Sequence, residues 1–193
     1  VRYYRLSVTL VLFSACANAI PQNYTLDPLH SSVTWQVSHF GFSNPSGKWY
    51  ATGNIIYDES KPQNSKVTVQ IDIAKIVTGI PKLDYNLLGS GFLDARKYPV
   101  ALFVSKSIKM TSTTTAEVSG NLTLHGVTIP LALKVIFNKT GIDPITNKKT
   151  IGFSATTTVA RSDFGITTYI PDISDEVKLD IQVEAMLNDK TTD

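Results

Sequence analysis

The feature that most constrains this chain is a strict two-residue alternation of apolar and polar side chains, repeated in segment after segment. Over residues 66–73, Val67, Val69, Ile71 and Ile73 face one way while Thr68, Gln70 and Asp72 face the other. Ala116, Val118, Gly120, Leu122 and Leu124 alternate with Glu117, Ser119, Asn121 and Thr123, and His125-Gly126 then reverses the chain into Val127, Ile129, Leu131, Leu133, Val135 and Phe137. The pattern returns at Ile151, Phe153, Ala155, Thr157 and Val159, and again at Val177, Leu179, Ile181, Val183 and Ala185. A period of two places successive side chains on opposite faces, so each segment is a strand with one dry and one wet side. Such strands in simple succession, joined by turn-forming residues, predict an all-β fold in which a sheet wraps an apolar interior.

The opening stretch, residues 24–49, fits the same scheme. A polar turn at Asp27, Pro28, His30, Ser31 and Ser32 leads into Val33, Trp35, Val37 and His39, and Ser43, Asn44, Pro45 and Gly47 break the pattern before a second strand at Trp49. The inward set from Trp49 to Tyr57 is Trp49, Ala51, Gly53, Ile55 and Tyr57. Residues 81–88 differ. Leu83, Leu87 and Leu88 have helical spacing, Pro81 suits a first turn and Gly89 an end, which predicts one short helix as a barrel plug or packed crossover. In VALFVSKSI the inward set is ambiguous between Val100, Leu102 and Val104 and Ala101 and Phe103. Pro130 lies on the outward set of its strand and suggests an edge or a bulge. Roughly eight antiparallel strands point to an up-and-down barrel, with a two-sheet sandwich as the alternative.

Residues 1–19 read as a cleavable signal peptide: Arg2 and Arg5, the apolar run LSVTLVLF, then SACANA with Ala17 and Ala19 before the cut. The alternative is lipidation at Cys16, against which Phe13 stands where a lipobox usually has Leu. Removing the segment takes two of the 18 basic residues and leaves 16 against 16 acidic ones. The exported chain, one domain over 20–193, is then close to neutral, and neither nucleic acid nor stable membrane insertion is expected of it. Its lone Cys leaves with the leader.

A barrel of about eight strands is filled by its own side chains or holds one small ligand. The inward set here mixes Ala51, Gly53, Ala116, Gly120, Ala155 and Ala185 with Trp35, Phe137 and Phe153. Composition alone leaves both outcomes open, and a hollow lumen of this kind would suit a long, thin apolar ligand.

The segments YTLDPLHSSVTWQVSHFGFSNPSGKW, SGFLDARKYPVALFVS, SGNLTLHGVTIPLAL, RSDFGI and DEVKLDIQVEA together resemble the YceI-like family of periplasmic polyisoprenoid-binding proteins, in the family's order and over nearly the whole exported chain. The resemblance implies a lipocalin-like barrel, a periplasmic location and a long-chain isoprenoid ligand such as an isoprenoid quinone or a prenyl diphosphate. The chain departs from the family's usual pattern at Gly91, at Asn86, Leu87 and Leu88, and at Ile129, where members often carry charged residues or His. A diphosphate needs cations or backbone donors, so these departures favour a neutral head such as a quinone, or a fatty chain.

On this reading the lumen and its mouth are lined by Trp35, Val37, Phe40, Phe42, Trp49, Leu83, Leu87, Phe92, Phe103, Phe153 and Phe164, and the head-group candidates are His30, His39, Arg161 and Asp163. Each has a second reading: the apolar residues as core, His30 as a tie for its turn, Arg161 and Asp163 as an ion pair within their loop. No enzyme is expected, because Ser31 lacks a G-x-S-x-G elbow and the three His lack ligand spacing; no metal site or cofactor follows. An interaction or stress module with a filled core and an exposed strand edge is the other functional class, and a homodimer is compatible with the sequence.

Overall fold

The computed structural model describes residues 20–188; the leader, with Cys16, lies outside them. Nine strands follow in order: β1 (Gln22–Leu26), β2 (Ser32–Gln36), β3 (Ser46–Tyr57), β4 (Lys66–Asp72), β5 (Val100–Met110), β6 (Thr115–Leu124), β7 (Val127–Ile142), β8 (Lys149–Ala160) and β9 (Glu176–Leu187), with the helix α1 (Pro81–Leu87) between β4 and β5. All neighbours pair antiparallel, and the sheet closes on itself.

Nine strands fill eight wall positions. Both β1 and β2 lie between β3 and β9: Tyr24 pairs with Ile55 and Leu187, whereas Val33 pairs with Trp49 and Ile181. They are one wall strand broken by the turn at residues 27–31. Ser31 repairs the break, because its hydroxyl donates to the Glu184 carbonyl at 2.9 Å and accepts the Glu184 N–H at 3.2 Å while its own carbonyl takes the Ala51 N–H. Ser31 is fully buried as a result. The alternation therefore yields the antiparallel eight-stranded barrel with one short helix, and β1 is the strand that the pattern alone does not separate. β2 is shorter than the alternation suggests: Val37 and His39 leave the ladder, and His39 makes only isolated bridges to Ser43 and Ile173.

Two bulges invert the facing of long strands. In β5 the register shifts between Ser105 and Ser107, so Ala101 and Phe103 point inward before it and Ile108 and Met110 after it. This resolves the ambiguous pattern of VALFVSKSI, since an extra residue moves every later side chain to the other face. A second shift between Phe137 and Lys139 in β7 turns Thr140 inward.

Outward positions carry Thr52, Gln70, Lys134, Thr156, Lys178, Asp180 and Gln182. A polar outside and an apolar inside is the reverse of a membrane-spanning barrel. Among the described residues no helix is long and apolar enough to cross a membrane.

One end of the barrel is capped by residues 73–99, including α1, and by the segment after β8. Trp49 leans on this cap and donates from Nε1 to the Ile73 carbonyl at 3.2 Å. Ile73 and Ala95 with Ala101, and Phe164 and Ile166 with Val159, form two core clusters beneath the cap. A third, around Tyr24, Leu26, Ile55, Ile151 and Ala185, builds the wall towards the other end.

Candidate functional site

The uncapped half of the barrel encloses a cavity of about 410 Å³, and every wall position contributes to it. Val33, Ala51, Ile55, Val67, Val69 and Ile71 line one side; Val118, Leu133, Val135, Ile181 and Val183 line the other. These are the inward sets of the alternation, made hollow by small residues. Ala51, Ala116 and Ala155 face the space directly. Gly120 has a different job: a Cβ there would lie 2.6 Å from Phe103 Cζ, so the glycine makes room for the Phe103 ring. Gly53, at φ +149°, lets β3 approach β4, where a Cβ would lie 2.1 Å from the Thr68 carbonyl oxygen.

Towards the open end the lining changes character. Tyr57 stacks on Phe137 with ring centroids 6.3 Å apart, and Phe153 sets its edge against both at 6.0 and 5.6 Å. Burial, with Glu59 beside it, pushes the Tyr57 phenol above its usual range and keeps it neutral. Beyond the rings come Glu59, Ser65, Thr113, Thr114, Thr115 and Thr140. The Thr140 hydroxyl is buried and has no hydrogen-bond partner in the protein. Among the described residues the lining contains no Lys, Arg or His. Lys149, at the start of β8, is bound to Glu59 at 3.6 Å and to the Gln22 side-chain oxygen at 3.1 Å.

Of the eleven apolar residues singled out from the sequence, Phe103 and Phe153 line this cavity. Trp35 is buried two residues beyond Val33, its ring 6.5 Å from that of Trp49. Val37, Phe40 and Phe42 belong to the β2–β3 connection, where Phe42 is 91% exposed. Leu83 and Leu87 lie on α1, and Phe92 and Phe164 meet in the core under the cap.

The four head-group candidates are not brought together. His30 sits on the outer wall, at the turn that breaks the β1–β2 strand, with Nδ1 2.6 Å from the Asp27 carboxylate. His39 is exposed, with Phe40 edge-on to its ring at 4.5 Å. Arg161 is 7% exposed at the capped end, and its guanidinium donates to the carbonyls of Ile166, Thr168, Ile173 and Ser174 at 2.8–3.2 Å. It ties down the segment that leads back to β9. Asp163 is exposed, and the carboxylate that anchors this turn is Asp175, which accepts from the Ser162 N–H and hydroxyl. Aromatic and charged residue types draw attention to loops, whereas the cavity is walled by the aliphatic side of the alternation. Thr140 and Glu59 carry no motif, and Thr140 faces inward only because of the β7 bulge. Among the described residues no group of three His, Cys, Asp or Glu is placed to hold a metal ion.

Residues 24–185 match the family model of the YceI-like domain. A UPF0312 protein of Pseudomonas putida is 40% identical over 164 residues, covering 83% of this chain and 84% of its own length. A UPF0312 protein of Pseudomonas syringae pv. syringae is 37% identical, with 94% of each chain covered. Among solved structures, the YCEI protein of Campylobacter jejuni superposes with a TM-score of 0.71 at 28% identity, covering 77% of this chain and 88% of its own. Burkholderia cenocepacia BcnA gives 0.75 at 22% identity over 82% of this chain and 98% of its own. A polyisoprenoid binding domain from Saccharophagus degradans gives 0.68 at 16% identity over 86% and 98%, and these last two likenesses speak to the fold.

Proposed function

The chain belongs to the YceI-like domain family, and from that premise we propose that it is an exported, non-enzymatic carrier holding an isoprenoid lipid in the barrel lumen. The observation that carries this reading is the apolar cavity of about 410 Å³, fed by every wall strand and polar only at its open end. Apolar clefts with a few polar groups at one point suit a ligand with an apolar body and a single polar end. A filled core, as an interaction module would have, leaves no such space. The N-terminal pattern of residues 1–19 supports a periplasmic location, and the lipid is cargo, so no resident cofactor is required.

The mouth favours an uncharged head, as in an isoprenoid quinone, over a prenyl diphosphate. Glu59, the carboxylate of the lining, is paired with Lys149, no lining residue among those described is a cation, and Arg161 is enclosed by carbonyls at the other end. The Thr140 hydroxyl and the neutral Tyr57 phenol offer what a carbonyl or hydroxyl head needs.

Native mass spectrometry after incubation with an isoprenoid quinone and a prenyl diphosphate of equal tail length tests this. The quinone is expected to be retained at one per chain, at least tenfold over the diphosphate. Equal or preferential retention of the diphosphate overturns the head-group assignment. Retention of neither, with no lipid extracted from protein purified from its own host, overturns the carrier reading.

A further inference from the structure

The cavity is a blind tube, and its depth sets a tail length. Its floor is formed by Ile71, Ala101, Leu122, Leu131 and Leu179. The same side chains are packed from behind by the capping core: Ile71 and Ala101 against Ile73 and Ala95, and Leu122, Leu131 and Leu179 against Phe164 and Ile166. Phe164 is fully buried and Ile73 is 2% exposed, so the tube does not continue beneath the floor. Close-packed interiors do not yield continuously to a longer guest.

A dry apolar cavity of about 150 Å³ takes one benzene ring, or roughly 25 Å³ per carbon. On that scale the 410 Å³ here holds on the order of sixteen carbons. Resting on the carrier reading above, we infer that the lumen binds a single prenyl chain of about three isoprene units, with the uncharged head at Thr140 and Tyr57, and that further units gain nothing. Side-chain recesses at Ala51, Ala116 and Ala155 interrupt a wall of larger aliphatic and aromatic side chains and give methyl branches somewhere to lie. A longer tail reaches the floor before its head reaches Thr140 and Tyr57, so the surplus units push the head out of the mouth.

Prenyl alcohols of ten, fifteen and twenty carbons, titrated into the mature protein and followed by calorimetry and native mass spectrometry, test the limit, with hexadecanol as the unbranched comparison. Affinity is expected to rise at least about tenfold from ten to fifteen carbons, because each buried methylene contributes, and by less than about threefold from fifteen to twenty. Leu131→Ala, which lowers the floor, is expected to restore a gain at twenty carbons; Ala155→Leu, which fills the tube, is expected to abolish the gain at fifteen. A continued tenfold rise at twenty carbons in the wild type overturns the length limit and leaves the carrier reading standing. Binding of hexadecanol as tight as that of the fifteen-carbon alcohol overturns the prenyl assignment. If no alcohol binds while the quinone is retained, the length assignment falls alone; if the quinone is not retained either, the carrier reading falls with it.

Discussion

Asp27 and His30 show how a single pair can hold the place where a wall strand is broken. Burial works against the charge on Asp27, but bonds from the His30 ring and the Leu29 N–H outweigh it and hold its carboxyl below the ordinary value of 3.8. The same bond to Asp27 raises His30 above its ordinary 6.5. A lowered acid stabilises the fold above its unfolded pKa and loses that contribution as pH falls through the folded value. A raised histidine stabilises below its unfolded pKa and loses it as pH rises through the folded value. The pair therefore contributes fully between 3.8 and 6.5 and declines on either side. Thermal melts of wild type and His30→Asn across this range are expected to differ most inside that window and to converge above it; a difference that stays flat with pH would mean the pair is electrostatically idle. The sequence already offers His30 as a tie for its turn, because Asp and His three apart in a Pro-containing turn are local partners. Arg161 is the opposite case. Its partners are carbonyls of residues 166–174, which carry no side-chain signature, so spacing suggested Asp163 instead.

Strands were legible because their dry and wet faces are written in alternate residues; pairing and bulges were not, because they depend on neighbours far along the chain. The ladder between β7 and β8 shows what this leaves out. It runs from Ile142↔Lys149 to Lys134↔Thr156 and stops, so Val127 to Leu133 have no β8 partners although β6 pairs with all of them. Pro130, which has no N–H to give, stands in this stretch, and the Thr157 hydroxyl donates across it to the Ala132 carbonyl at 2.9 Å. The outward proline thus marks a seam in a closed wall rather than a free edge. Amides of residues 127–133 and 157–160 that point across the seam are expected to exchange with deuterium faster than their neighbours bonded to β6 or β9, and Thr157→Val is expected to widen the contrast. Uniform protection along β7 would show that the seam is held by something other than its ladder.

At the scale of the whole barrel, a cavity kept open for a guest carries a stability cost, since its lining forgoes packing partners that a filled core would supply. This makes a variant with opposite effects on stability and binding. Ala116 faces the lumen near the aromatic cluster, paired with Met110 and Val135. Ala116→Phe places a ring in existing space, and cavity filling of this sort adds about 0.5–2 kcal/mol. The ligand-free variant is then expected to melt about 2–6 °C above wild type. Ligand at a hundred times its Kd stabilises wild type by about 2.7 kcal/mol, a rise of roughly 5–10 °C, and that rise is expected to vanish in the variant. Differential scanning fluorimetry with and without the fifteen-carbon alcohol reads both effects in one experiment. A variant that melts lower than wild type while still responding to the ligand would place the guest elsewhere and make Ala116 ordinary packing. A higher melting point with no response would tie the hollow interior to binding, because only space reserved for a guest can be filled with a gain in stability and a loss of function together.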